Sequence, residues 1–239
     1  MVDPRPLGQS VKNWSAPKRP DGLSLIGQFS QLEPLNADRH AADLFRVFSG
    51  HDEIWDYMPV GPFASQAAFH RWMRDATSGS DPVFFAIKNL ETGRFEGFCS
   101  LLRIDPEHGS IESGFITYAP ALQRTRAATE TQILLMKWAF EAGYRRYEWK
   151  CNALNKPSRR AAQRLGLSFE GVFRQHMIVK GQNRDTAWFA AIDSEWPALA
   201  EAFAAWLAPS NFDENGQQRE SLGDLTSLVR AGSDPTLAR

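Results

Sequence analysis

The stretch from Ile111 to Phe173 constrains this chain more than any other. It reads strand, break, helix, strand, helix, strand, with short connections. Ile111 to Tyr118 is a strand candidate, and Ala119-Pro120-Ala121 breaks it, because proline cannot donate to a ladder and biases its neighbour away from helix. Gln123 to Ala142 follows as a helix that is apolar on most faces through Ile133, Leu134, Leu135, Met136, Trp138, Ala139 and Phe140. Such a helix is buried between layers. Gly143 ends it. Arg146 to Asn152 reads as a strand, and Asn155-Lys156-Pro157-Ser158 opens a second helix with proline in its first turn. That helix ends at Leu165-Gly166, and Ser168 to Val179 is strand again. Two strands joined by a helix of this length form a crossover, which makes them parallel and the connection right-handed. The start of the crossover helix then aims free N–H groups past the end of the sheet, where phosphate can bind.

The flanks add antiparallel elements. Residues 1–21 carry Pro4, Pro6, Pro17 and Pro20 and read as an extended arm with Val11 and Trp14 as anchors. Residues 23–35 suggest a first strand, and Asn36 or Asp38 caps a helix through Phe48. Ile54 to Pro62 is an aromatic loop, and Ser65 caps a helix to Ala76. Val83 to Lys88 and Arg94 to Arg103 form a hairpin around Asn89–Gly93. A second hairpin turns at Lys180–Asn183, and Ser194-Glu195-Trp196-Pro197 opens a helix to Leu207. Residues 208–239 are polar and read as a largely mobile tail, with one amphipathic candidate around Leu222, Leu225, Leu228 and Val229.

Charge and cysteine content narrow the function classes. Lys plus Arg number 27 against 28 Asp plus Glu, so no global field draws nucleic acid or membrane. No apolar run reaches the roughly 18–20 residues of a membrane span. The N-terminal residues lack the apolar segment of a signal peptide. Cys99 and Cys151 read as free thiols, which fits a reducing, cytoplasmic setting. Neither has a nearby histidine, so no metal site is expected.

Several groups of residues carry a resemblance. They are Glu112-Ser113-Gly114-Phe115, Gln123 through Ala128, Arg146 to Trp149, Asn155 with Ser158, and Leu165-Gly166-Leu167-Ser168-Phe169-Glu170-Gly171-Val172-Phe173-Arg174 with the Arg184-Asp185 pair. In order and spacing they resemble the GNAT superfamily of acetyl-coenzyme A-dependent N-acetyltransferases, and within it the ribosomal-protein N-terminal acetyltransferase branch. The resemblance covers roughly residues 22 to 205. It implies an α/β fold: a mixed, mostly antiparallel sheet with a splayed parallel central strand pair and helices on both faces. The expected organisation is an arm (1–21), an acetyltransferase domain (22–207) and a polar tail (208–239).

The same resemblance implies a site. The pantetheine arm of acetyl-coenzyme A, the co-substrate, would lie between strands 111–118 and 146–152, along Phe115, Ile116 and Thr117. Gly114 would begin the splay with a bulge, or serve packing alone. The pyrophosphate loop would be Gln123, Arg124, Thr125, Arg126, Ala127 and Ala128, with Arg126 where relatives carry glycine. Asn155 would contact the arm and Ser158 would protonate the leaving thiolate, although Asn155 with Ser158 is also a plain helix cap. Lys156, Arg159 and Arg160 could reach the adenosine phosphates or be solvated.

Glu112 is the candidate base, with Glu148 and His176 behind it; Glu148 could instead pair with Arg145 or Lys150. Trp55, Tyr57 and Glu148 are the candidate acceptor contacts, with Asp56 available to hold an ammonium. The expected reaction is acetyl transfer to a primary amine, on a protein N-terminus or a small molecule. The alternative is a non-catalytic acyl-coenzyme A-binding sensor or scaffold. A basic patch of Arg145, Arg146, Lys150, Lys156, Arg159, Arg160 and Arg164 could meet nucleic acid, but balanced charge makes this the weakest reading. Whether the chain pairs as a homodimer is left open.

Overall fold

A computed structural model describes residues 7–237. Eight strands form one sheet: β1 (Leu25–Ile26), β2 (Ser30–Pro34), β3 (Val83–Asn89), β4 (Arg94–Asp105), β5 (Ser110–Tyr118), β6 (Arg146–Asn152), β7 (Ser168–Val179) and β8 (Gln182–Ile192). Their order is β1-β2-β3-β4-β5-β6-β8-β7. Neighbours are antiparallel except β5 and β6, which run parallel. The six helices are α1 (Ala37–Phe48), α2 (Gln66–Ala76), α3 (Arg126–Glu141), α4 (Lys156–Arg164), α5 (Trp196–Leu207) and α6 (Leu222–Ser227).

Local sequence explains the boundaries. Asn36, Ser65, Thr125, Asn155 and Ser221 each accept a backbone N–H of the first turn they cap. The expected first strand is two short ones, β1 and β2, because Gln28, Phe29 and Ser30 turn their N–H groups onto the buried Glu130 carboxylate of α3 at 2.8 Å each. A Cβ on Gly27 would stand 2.4 Å from that carboxylate, so only glycine fits there.

Two cores hold the layers. On one face α3, α4 and α5 cover the sheet through Ile111, Leu135, Met136, Tyr147, Trp149, Phe189 and Phe203. On the other, α1 and α2 cover only the β3–β4 side, through an aromatic cluster of Phe48, Trp55, Phe69, Phe84 and Phe98. The β5–β6–β8–β7 half of that second face carries polar side chains and forms the floor of an open cleft.

The segment after Leu207 is packed onto the domain, contrary to the mobile tail expected from its composition. Leu222 is fully buried, worth about 2 kcal/mol for a side chain of that size. Arg159 of α4 donates from Nε and Nη2 to Asp234 at 2.6 and 2.7 Å, and this carboxylate is only 2 % exposed. The arm is docked as well. Trp14 Nε1 donates to the Glu107 carbonyl, and Tyr144 donates to the Lys18 carbonyl. Val11 is exposed and anchors nothing. Pro4 and Pro6 lie outside the described residues.

Candidate active site

The parallel ladder between β5 and β6 runs from Ser110↔Arg146 to Ser113↔Trp149 and stops there. Both strands continue, β5 to Tyr118 and β6 to Asn152, each still paired on its other side. They therefore part like a V, and the facing edges beyond Ser113 and Trp149 keep backbone groups for a ligand. A bulge drives the parting. Opposite β4, Phe98 pairs with Thr117 and Ser100 with Gly114, so β5 carries one extra residue. The strained position is Phe115, at φ 49°, and not Gly114. Gly114 gives room for packing: a Cβ there would sit 2.7 Å from Leu102 Cδ2 and push that side chain aside. Phe115 turns its ring onto Phe84 of the second core, while Ile116 packs into the first. Thr117 is buried and donates back to the Phe115 carbonyl.

The loop after β5 ends at the N-terminus of α3. Thr125 caps the helix through the Ala128 N–H and leaves those of Arg126 and Ala127 without intrahelical acceptors. Ala127 and Ala128 are buried and bring no bulky side chain to this turn. Gln123 Nε2 closes the loop onto the Tyr118 carbonyl. Arg124 is exposed in a left-handed conformation, φ 63°, with no carboxylate partner among the described residues. Arg126 is turned away from the helix axis: its guanidinium lies over the rings of Phe29 and Phe212, 4.5 and 4.9 Å from their centroids, and pairs with Glu91. The expected phosphate contact from this side chain is thus replaced by a structural one. These free amides and the open strand edges suit a pyrophosphate and its amide-bearing arm.

Across the V, Asn155 caps α4 by accepting the Ser158 N–H at 3.1 Å. Ser158 Oγ accepts the indole N–H of Trp149 at 3.0 Å, which leaves the serine proton free to be donated. Cys151 sits beside this serine, but burial pushes its thiol up to about 11, so no thiolate nucleophile is available there. Arg159 is held by Asp234 and the Ala153 carbonyl and is not free for the adenosine phosphates.

The open face carries an alternating charge chain. Glu112, 3 % exposed, accepts Arg103 Nη1 at 2.7 Å and Lys150 Nζ at 2.8 Å. Lys150 also donates to Glu148, Arg146 bridges Glu148 and Glu170, and the chain ends there. A bulge at Arg103, fixed by Asp81 through the Arg103 and Ile104 N–H groups, aims the arginine at Glu112. Glu112 is therefore not the base expected from its strand position. Both cations share its Oε2, and its near-complete burial between them leaves little of the carboxylate for an incoming ammonium. Burial opposes ionisation of Glu148, but Lys150 and Arg146 outweigh it and hold the carboxyl below its usual range. That makes it a poor proton acceptor as well. Glu148 lines an open groove of about 610 Å³ with Asp81, Arg103, Asp105, Glu107 and Ser110.

Of the aromatic loop, Trp55 is buried among Phe48 and Phe63 and cannot touch an acceptor. Its carbonyl accepts Lys180 Nζ from the β7–β8 turn, and Tyr57 Oη reaches the Leu154 carbonyl at 3.4 Å. Loop and hairpin thus bridge the cleft, with Tyr57 half-exposed at its rim. Sequence reasoning did not single out Arg103 or the role of Trp149. Lys150 appeared there as a partner for Glu148 and as part of a basic patch, and it also binds Glu112.

This geometry is that of an acetyltransferase fold, and comparison agrees. Residues 31–168 match the acetyltransferase (GNAT) domain model. A GCN5-related N-acetyltransferase from Brucella melitensis is 46% identical over 91% of this chain and 100% of its own, with a TM-score of 0.88. A GNAT-family chain from Chromobacterium violaceum ATCC 12472 is 39% identical over 83% of this chain and 100% of its own, at 0.77. The Microcin C7 self immunity acetyltransferase MccE, solved with acetyl-CoA and AMP, shares the fold at 18% identity and a TM-score of 0.62, over 70% of this chain and 93% of its own. No curated protein matches the chain. The chain belongs to the GNAT acetyltransferase family. It is an acetyltransferase, and acetyl-coenzyme A is its acetyl donor.

Among the described residues, no helix is long and apolar enough to cross a membrane. Nor does any group of three or more His, Cys, Asp or Glu stand ready to hold a metal ion.

Proposed function

We propose that this enzyme transfers acetyl to a primary amine that enters by the open face of the sheet, opposite α3 and α4. The observation that carries this reading is the cleft itself. The V between β5 and β6 opens on one side to the α3 N-terminus and on the other to a floor of side chains bridged by Tyr57 and Lys180. A thioester seated in the V would meet an amine from that floor without either partner crossing the core.

The residues divide the work. The N–H groups at Arg126 and Ala127, with Arg124, hold the pyrophosphate. The edges of Phe115 to Thr117 and of β6 hold the arm, and Asn155 keeps α4 in register beside it. The amine attacks as the free base, because an ammonium has no lone pair. Its proton leaves toward the open face, where His176 is a titratable side chain without a carboxylate partner among the described residues. Ser158 donates its proton to the departing thiolate, oriented by Trp149. Acyl transfer is direct, since Cys151 is protonated at neutral pH.

Thiol release from acetyl-coenzyme A, measured across amines and N-terminal peptides, tests the reading. Turnover that depends on added amine supports it. Coenzyme A binding with no amine-dependent thiol release from any of them overturns it.

A further inference from the structure

Among the described residues, every cation on the cleft floor but one has a carboxylate partner. Arg103, Lys150 and Arg146 are paired with Glu112, Glu148 and Glu170. Arg184 of β8 is not. It is half-buried, its Nε donates to Thr186 Oγ1 at 3.2 Å, and its two terminal nitrogens have no acceptor among the described residues. Other half-buried guanidinium groups without a carboxylate also make a single hydrogen bond, but from a terminal nitrogen, whereas Arg184 makes its own through Nε and keeps both ends of its fork open. Arg164 binds Thr129 and lies over Trp206, and Arg230 donates to the Gln163 carbonyl. A partly desolvated guanidinium with open donors is costly unless an anion completes it.

Its position says which anion. Arg184, Thr186 and Trp188 alternate on one face of β8. Trp188 is opposite Lys150 and Thr186 is opposite Asn152, the last residue of β6. Arg184 therefore overhangs the mouth of the V, one step past the end of β6. Burial lowers its pKa, and the Glu112 carboxylate of β5 partly offsets that. The co-substrate brings no negative charge here. All its phosphates lie at the far end of the arm, at α3, and the thioester end is neutral. The anion is left to the acceptor.

The surroundings fit a ligand of this kind. Thr186, 1 % exposed, holds Arg184 and also lies 2.9 Å from His176 Nδ1, so both side chains are fixed on one hydroxyl. Asp185 accepts the Gln175 N–H at 2.7 Å and shapes the bulge in β7 between Phe173 and Met177 that carries His176. Beside them Phe173 packs on Trp188 at 4.4 Å, with Phe173 and Met177 exposed. That is an apolar wall next to a guanidinium fork.

We propose that Arg184 binds a carboxylate of the acceptor, so that the preferred substrate is an amine bearing a nearby carboxylate on an apolar body. This rests on the amine-acetylation reading above. Two sources carry that chemistry: the α-carboxylate of a free amino acid, or the side chain of an acidic first residue on a peptide. A guanidinium takes a carboxylate by two parallel hydrogen bonds, a geometry lysine cannot reproduce.

The test compares phenylalanine with phenylalaninamide, and a tripeptide starting in Glu with one starting in Gln, for wild type, Arg184→Gln and Arg184→Lys. The expected result is a preference of about tenfold or more in kcat/KM for the carboxylate form of one pair. Arg184→Gln should erase that preference by raising KM, leave the amide forms unchanged, and be partly rescued by Arg184→Lys. The pair that responds identifies the source. Equal use of carboxylate and amide forms by wild type overturns the proposal. So does an Arg184→Gln effect on kcat that is equal for both forms, which would place the guanidinium at the departing thiolate.

A binding measurement separates this inference from the reading beneath it. With coenzyme A present, N-acetylphenylalanine should raise the melting temperature of wild type more than its amide does, and Arg184→Gln should lose the difference. If no amine is acetylated yet this difference is present, the function falls and the anion site stands. If the difference is absent both here and between the N-acetylated tripeptides starting in Glu and in Gln, the site falls. Should Arg184→Gln not fold, the wild-type contrast and Arg184→Lys still decide.

Discussion

Arg159 and Asp234 meet in a doubly hydrogen-bonded ion pair, almost fully buried, between the helix that carries Ser158 and a segment 75 residues further on. Removing one partner of such a pair strands the other in a low dielectric. Asp234→Ala should therefore cost about 3–5 kcal/mol of stability, read by chemical denaturation. The pH dependence has a definite sign. Burial raises the Asp234 carboxyl, but Arg159 and the N–H and O–H of Thr236 outweigh it, so the folded value lies below the ordinary one. The pair's contribution is complete above the unfolded aspartate pKa of about 3.9 and is lost as pH falls through the lower folded value. Wild type and Asp234→Asn should differ most near neutrality and converge below roughly pH 4. A gap that persists in acid would assign the effect to packing.

Ser158→Ala should lower kcat by about 10- to 100-fold at nearly constant coenzyme A affinity, because the lost proton acts only as the thiolate departs. Trp149→Phe removes the indole N–H that orients the serine and should reproduce a smaller part of the same loss. Single-turnover kinetics check both. Unchanged kcat in Ser158→Ala would leave the serine its place in the first turn of α4 and nothing more.

The two arginines of the α3 loop should behave differently. Arg124→Ala should weaken coenzyme A binding by roughly fivefold, the scale of one exposed charge contact. Arg126→Ala should instead lower the melting temperature by freeing Phe212 and Glu91, with affinity little changed. Calorimetric titration beside thermal unfolding distinguishes them. Equal loss of affinity in both would return Arg126 to the phosphate.

Glu112→Gln should destabilise by about 1–3 kcal/mol, since Arg103 and Lys150 lose their shared counter-charge. The shape of the pH–rate profile should not change. A lost limb in that profile would restore Glu112 as the base.

Much of the fold is legible in the sequence because its signals are local. Proline and glycine break β5 and end α3, capping side chains open α1, α2 and α4, and the strand–helix–strand order around 111–173 forces the parallel pair. The candidate site is legible where it depends on the same local chemistry, as at Thr125, Asn155 and Ser158. It is not legible where partners lie far apart. Nothing near Arg126 announces Glu91 and Phe212, and nothing near Arg159 announces Asp234. A glutamate on a strand looks the same whether it faces solvent or two cations, so Glu112 was assigned by position and is corrected by its neighbours. Trp55 misled for a related reason: an aromatic loop reads alike as binding surface or as core. One signal was present and unused. The Arg184-Asp185 pair stood out as a motif, and Asp185 proves to shape the β7 bulge while Arg184 overhangs the V.

The docking of residues 209–237 bears on the order of events during synthesis. The helix bearing Asn155 and Ser158 leaves the ribosome well before Asp234 does, so for that interval Arg159 has no counter-charge. The nascent domain should hold its sheet yet grip acetyl-coenzyme A poorly, and competence should arrive only when the far segment folds back. Released chains ending at residue 207 and at residue 237 would show this as a difference in coenzyme A capture; equal capture would mean the helix is seated without its late partner.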